Sequence, residues 1–99
     1  MDEIQLKLEP NGKGAFIVER DGERLAEMVI AIDKQNLTVY HTEVSKKLKG
    51  EGIGSKLISA MVDYARKHQL KVIALCPFVS GQFKKHSELY ADIWNQNWR

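Results

Sequence analysis

Three glycines stand at alternating positions, Gly50, Gly52 and Gly54, immediately before the clearest helical pattern in the chain. Apolar residues then recur at the spacing of one helix face, at Ile53, Leu57, Ile58, Met61, Val62 and Ala65. Glycines without Cβ atoms and the positive end of a helix allow several backbone N–H groups to point at one anion. The segment therefore predicts an anion site, although glycines before a helix can also form only a flexible turn.

Lysines cluster around this glycine segment, at positions 46, 47, 49 and 56. Such a cluster suits a polyanionic ligand, but it can also be a solvated face. The glycine spacing matches neither the Walker A loop nor the dinucleotide fingerprint. The formal net charge of +2 is too small to indicate a nucleic-acid partner, and no strand interleaves aromatic and basic residues as single-strand binders do.

The length of 99 residues predicts one domain over residues 1–99. The longest apolar run, 28–32, is far too short to span a bilayer, and the acidic start of the chain does not resemble a signal peptide. A single cysteine, Cys76, excludes an intrachain disulfide and suits a reducing compartment. We therefore expect a cytoplasmic monomer with no membrane partner.

Alternation of apolar and polar residues predicts strands at 4–8, 15–19 and 25–32, the last two flanking the turn pair Asp21-Gly22. A fourth strand is predicted at 37–44. Simple alternation assigns its residues to two sides, with Leu37, Val39, His41 and Glu43 on one and Thr38, Tyr40, Thr42 and Val44 on the other.

A nearly continuous apolar run at 70–76 follows the helix and predicts a fifth strand that is covered on both faces and central in the sheet. Ser80 could cap a short helix containing Phe83, and an apolar stripe near the end indicates another helix. The predicted class is mixed α/β, with antiparallel strands 1–4 followed by a β-α-β unit that makes strands 4 and 5 parallel.

Three short motifs in this order resemble the GNAT superfamily of acyl-CoA N-acyltransferases. They are His41-Thr42-Glu43-Val44, the loop Lys49-Gly50-Glu51-Gly52-Ile53-Gly54, and Cys76-Pro77-Phe78-Val79. The similarity runs from about residue 14 to 90 and is greatest to a small subgroup that lacks the first helices of full-length members. Lys49 replaces the usual glutamine or arginine, so the positive charge stays while the guanidinium fork is lost.

The resemblance implies that acetyl-CoA is the donor, with its pyrophosphate on the glycine loop and no metal ion. It also implies that strands 4 and 5 splay apart and that the pantetheine arm pairs with the edge of strand 4. The residues expected to bind the donor are Thr42, Val44, Lys49, Gly50, Glu51, Gly52, Ile53, Gly54 and Ser55. The acceptor is an amine of unknown identity, and its groove is expected to be unusually open.

Acetyl transfer to an amine needs a proton acceptor, a polarised thioester and a proton for the leaving thiolate. His41 and Glu43 are candidate proton acceptors, or else ordinary strand residues. Cys76 is a candidate nucleophile with His41 as its base, or else a buried inert thiol. Tyr90 resembles the superfamily's general acid, or else packs in the core.

Two functions remain open at this point: an N-acetyltransferase, and an acyl-CoA-binding module without turnover. The absence of an unambiguous base favours the second. Three further residues could meet the donor's 3′-phosphate or face water, Lys84, Lys85 and His86.

Overall fold

The computed structural model describes residues 4–98. Five strands form one sheet in the order β1-β2-β3-β4-β5, and their bounds are Gln5–Leu8, Lys13–Arg20, Glu23–Asp33, Asn36–Val44 and Lys71–Ala74. Helix α1, at Ile53–Lys67, lies between β4 and β5, and two helices follow β5, α2 at Pro77–Lys85 and α3 at Ser87–Tyr90. A single 3-10 turn, Lys46–Leu48, joins β4 to the glycine loop.

The sheet has the predicted topology. Strands β1 to β4 pair antiparallel in sequence order, and β4 pairs with β5 in parallel. The turn between β2 and β3 has positive φ at both central residues, 52° at Asp21 and 80° at Gly22, as a type I′ turn requires. The predicted mixed α/β class is therefore confirmed.

The assignment of β4 side chains to two faces by simple alternation is wrong. Val29 pairs with His41 and Ile30 pairs with Val39, so Tyr40 is an extra residue in a β-bulge. Beyond the bulge the alternation is reversed. Thr42 therefore lies on the helix-covered face with Val39, whereas His41 lies on the opposite face with Glu27.

Strand β5 lies at the sheet edge and is not central. It covers only Lys71–Ala74, and its outer side meets the later chain through an isolated parallel bridge between Val72 and Trp94. A continuous apolar run cannot distinguish a central strand from an edge strand whose outer side is covered by a later segment.

The hydrophobic core lies between one face of the sheet and the helices. The buried stripe of α1 packs in one cluster with sheet residues such as Phe16, Met28 and Leu37, and with Val79 and Phe83 of α2. Three buried apolar residues lie outside this cluster, on the other face, namely Ala15, Ile17 and Ile73. Within residues 4–98, no helix packs on that second face of the sheet.

Helix α2 begins at Pro77, with Cys76 as its N-cap. The prediction that Ser80 would cap this helix is therefore wrong, because proline is favoured in the first turn and the helix starts four residues earlier. None of the described helices is long and apolar enough to cross a membrane.

Candidate active site

Strands β4 and β5 separate at Val39. Their last residue pair is Val39 with Ala74, and the N–H groups of Leu75 and Cys76 both donate to the Val39 carbonyl oxygen at 3.0 Å. Strand β4 continues to Val44. In the described part of the chain, residues 40–44 therefore pair with β3 alone, and the outer edge of this stretch is left without a strand partner.

Cys76 lies at the point where β4 and β5 separate, and only 2% of its surface is exposed. Its Sγ atom is 3.5 Å from the Thr42 hydroxyl oxygen. This hydroxyl is the one polar side-chain contact of the thiol among residues 4–98. Cys76 also occupies the N-cap of α2, where the positive end of the helix stabilises negative charge.

His41 lies on the opposite face of the sheet, so the predicted pairing of His41 with Cys76 is wrong. Its Nε2 atom is 3.6 Å from Oε2 of Glu27 and 4.0 Å from Oε1 of Glu43. Glu27 also accepts a hydrogen bond from Arg24 at 3.3 Å. The β4 bulge explains the separation, because it turns His41 away from the face on which Thr42 meets the thiol.

The three loop positions require glycine for different structural reasons. Gly50 and Gly52 have φ of 82° and 68°, which side chains rarely adopt, and an added Cβ at either would meet open space. Gly54 lies inside α1, where an added Cβ would approach the Phe78 ring to 2.9 Å. Phe78 thus packs across the first turn of α1, a contact that no local sequence pattern indicates.

A cavity of about 380 Å³ joins the free edge of β4 to the start of α1. Its lining contains seven of the nine predicted donor residues together with Leu48 and Phe78, namely Thr42, Val44, Lys49, Gly50, Gly52, Ile53 and Gly54. Glu51 and Ser55 are exposed and do not line it. Thr42 belongs both to this cavity and to the Cys76 contact.

Two ion pairs connect the glycine segment to the β2–β3 hairpin. Lys47 contacts Glu23 at 3.0 Å, and Arg20 contacts Glu51 at 2.7 Å. One of the four clustered lysines is therefore bound to the protein itself. Arg20 is 31 positions from Glu51 in sequence, so no local motif could have indicated this pair.

A larger groove of about 770 Å³ lies on the second face of the sheet, opposite the helices. Its lining includes Lys7, Ala15, Glu27, Val29 and Tyr40. This groove offers a mixed apolar and charged surface on the same face as His41. It has no glycine loop or helix terminus, so its chemistry differs from that of the cavity beside α1.

Tyr90 lies away from the glycine loop. Its ring stacks on Phe83 with centroids 4.4 Å apart, and the neighbouring Leu89 carbonyl accepts a hydrogen bond from Arg66 near the end of α1. Helix α1 has 15 residues and is about 22 Å long, and the glycine loop is at its other end. The exposed Lys84, Lys85 and His86 follow at the end of α2.

Comparisons with known proteins agree with this geometry. The model of the GCN5-related N-acetyltransferase family matches residues 15–93. No functionally curated protein matches the chain. A solved GCN5-like protein from Staphylococcus aureus is 32% identical, with a TM-score of 0.68, over 92% of this chain and 87% of that one.

Two more distant structures share the fold. A ribosomal-protein-alanine N-acetyltransferase from Brucella melitensis has a TM-score of 0.59 at 21% identity, over 92% of this chain and 67% of that one. The ribosomal-protein-S18-alanine N-acetyltransferase from Escherichia coli has a TM-score of 0.57 at 15% identity, over 65% of this chain and 42% of that one. The family match over residues 15–93, together with the S. aureus structure, means that this chain belongs to the GCN5-related N-acetyltransferase family of acyltransferases.

Proposed function

We propose that the chain binds acetyl-CoA in the cavity beside α1 and transfers the acetyl group to a primary amine. The observation that carries the proposal is the cavity itself, which joins the unpaired edge of β4 to the N-terminus of α1. The unpaired edge suits the amide groups of an extended pantetheine arm. The helix N-terminus and the open backbone at Gly50 and Gly52 suit a pyrophosphate.

The acceptor amine would approach from the second face of the sheet, opposite the helices. His41 lies on that face between the carboxylates of Glu27 and Glu43, which would attract an acceptor amine that carries a positive charge. His41 and Glu43 are therefore our candidates to remove the proton from the acceptor, directly or through water.

Cys76 is our candidate for an acetyl carrier. Its sulfur would attack the thioester carbon, the bond from that carbon to the CoA sulfur would break, and CoA would leave as the thiol with the proton that Cys76 gives up. The amine would then attack acetyl-Cys76, which forms the amide and returns the cysteine thiol. The Thr42 hydroxyl and the N-terminus of α2 are the groups placed to stabilise negative charge on the sulfur.

Acetyl-CoA incubated with a panel of small amines, lysine peptides and peptides with free amino termini tests this proposal. Free CoA and acetylated amine should appear together and should be absent with Gly52→Glu. If no CoA were released above the buffer level with any acceptor, while CoA still bound, the chain would be an acyl-CoA-binding module.

We also propose that the protein acts as a cytoplasmic monomer, since a free thiol suits a reducing compartment.

A further inference from the structure

Glu51 is the one acidic residue between Ser45 and Lys56, a segment that contains four lysines. It stands between Gly50 and Gly52, in the middle of the proposed pyrophosphate loop. A free carboxylate at this position would repel a polyanion, because like charges a few ångströms apart cost binding energy even near the surface. A loop that binds phosphate with this residue needs that charge to be neutralised or held away.

Arg20 provides both. It ends β2, and its guanidinium holds the Glu51 carboxylate through two nitrogens, Nη2 to Oε1 at 2.7 Å and Nη1 to Oε2 at 3.4 Å. The two-pronged geometry fixes the direction of the carboxylate as well as its charge. Both side chains are more than a third exposed, and such pairs contribute little to folding stability.

The loop has a second attachment to the same hairpin, the Lys47–Glu23 pair at 3.0 Å. The Ser45 N–H group also donates to the Leu25 carbonyl at 2.7 Å. The loop is thus braced without Arg20. This makes charge neutralisation, and not mechanical support, the distinctive contribution of the Arg20–Glu51 pair.

We propose that Arg20 is a positioning residue for the donor. It neutralises Glu51 and holds its carboxylate toward the β2–β3 hairpin, so that the loop presents backbone N–H groups to the pyrophosphate. The inference rests on the proposed donor site. It adds a residue from outside the glycine motif to phosphate recognition.

A double-mutant cycle on CoA affinity tests the inference. Isothermal titration calorimetry would give the Kd of CoA for the full chain and for Arg20→Gln, Glu51→Gln and the double variant. Arg20→Gln should weaken CoA binding by about threefold to tenfold, less at high salt because the charges are screened. Glu51→Gln should improve affinity much more in the Arg20→Gln background than in wild type, since only there is the carboxylate unneutralised.

The other outcomes overturn the inference. If Glu51→Gln improved CoA affinity equally in both backgrounds, the charges of Arg20 and Glu51 would act on CoA independently. If it improved CoA affinity more in wild type, Arg20 would contact the phosphate directly. Weaker CoA binding by the Glu51→Gln single variant would mean that the ion pair only supports the loop mechanically.

Arg20→Lys should keep most of the CoA affinity. Glu23→Gln is the matched control, because it breaks the other hairpin pair and should not couple to Glu51→Gln.

Failure of the inference is distinct from failure of the donor site. If the wild-type chain does not bind CoA at all, the proposed function is wrong. If the wild type binds CoA and the coupling between Arg20 and Glu51 is zero or reversed, only the role of Arg20 is wrong. Circular dichroism of each variant would confirm that the fold is retained.

Discussion

The Cys76 sulfur lies 3.5 Å from the Thr42 hydroxyl oxygen across the gap where β4 and β5 separate. Thr42 reaches this position because the bulge at Tyr40 reverses the alternation of β4. The same bulge turns His41 to the opposite face, beside Glu27. Because of this one extra residue in β4, the candidate nucleophile Cys76 and the candidate base His41 lie on opposite sides of the sheet, on either side of the gap between β4 and β5.

Cys76→Ala should abolish acetyl transfer while leaving the Kd of CoA unchanged. The substitution removes the sulfur and leaves the glycine loop intact. Intact-mass spectrometry after incubation with acetyl-CoA alone should detect one acetyl group on the wild type and none on the variant. Thr42→Val keeps the shape of the side chain but removes the hydroxyl, and should slow formation of the adduct by about tenfold. Unimpaired turnover by Cys76→Ala would show that the amine attacks acetyl-CoA directly.

His41→Gln should lower kcat/KM for the amine by about a hundredfold, the usual loss when a general base is removed. Glutamine keeps the length and polarity of the side chain but cannot take the proton. The affinity for CoA should not change, because His41 faces away from the cavity that contains the loop. Steady-state kinetics would measure the effect, with the amine varied at a saturating donor concentration and the donor varied at a fixed amine concentration. A loss confined to KM for the donor would remove His41 from the acceptor side.

Tyr90→Phe should keep most of the turnover, because the Tyr90 ring stacks on Phe83 and packs against the hydrophobic core. Tyr90→Ala should instead lower the free energy of unfolding by about 2 kcal/mol through lost packing and lost aromatic contact. Turnover assays of both variants, together with urea denaturation monitored by tryptophan fluorescence, separate the two effects. Loss of turnover in Tyr90→Phe at unchanged stability would restore the general-acid role that the family resemblance implies.

Asp92 should make the stability of the fold depend on acid pH. The hydrogen bond from Arg66 lowers the pKa of Asp92 below its ordinary value, and the guanidinium charge lowers it further. Folding therefore favours the ionised carboxylate. This stabilisation is present above about pH 4, the ordinary value for aspartate, and is lost as the pH falls through the lower value of the folded state.

Urea denaturation of wild type and Asp92→Asn at several pH values measures this contribution. The variant should be less stable at neutral pH, and the difference should shrink as the pH falls below about 4. Arg66→Gln should show the same pH dependence. A difference that stays constant with pH would indicate that the ion pair between α1 and the segment after α3 contributes nothing.

Local patterns predicted much of this fold. The four-residue spacing from Ile53 predicted the buried face of α1, and Asp21-Gly22 predicted the hairpin turn, because both depend on neighbouring residues. The prediction that β5 is central was wrong for a different reason. The bridge from Trp94 that covers its outer edge comes from a segment 22 positions later, and periodicity contains no information on such pairing.

The candidate site was predicted less completely. The position of the glycine loop could be predicted, because the glycines, a preceding strand and a following helix are contiguous in the sequence. The β4 bulge could not be predicted, since nothing in Val39-Tyr40-His41-Thr42 departs from strand alternation. The contacts of Arg20 and Phe78 cannot be predicted from local patterns either, because each joins distant segments, one with Glu51 and one with Gly54.

The most direct test of the central claim is the affinity of CoA for the wild type and Gly52→Glu. Gly52 is the N-cap of α1 and has φ of 68°, so a glutamate there adds backbone strain of about 1–2 kcal/mol and a negative charge at the proposed phosphate site. Gly22→Glu, at a φ of 80° in the hairpin turn, controls for the strain. Wild type and Gly22→Glu should bind CoA in calorimetric titration, and Gly52→Glu should not. Equal affinity in all three proteins would contradict the assignment of the glycine loop to the donor pyrophosphate.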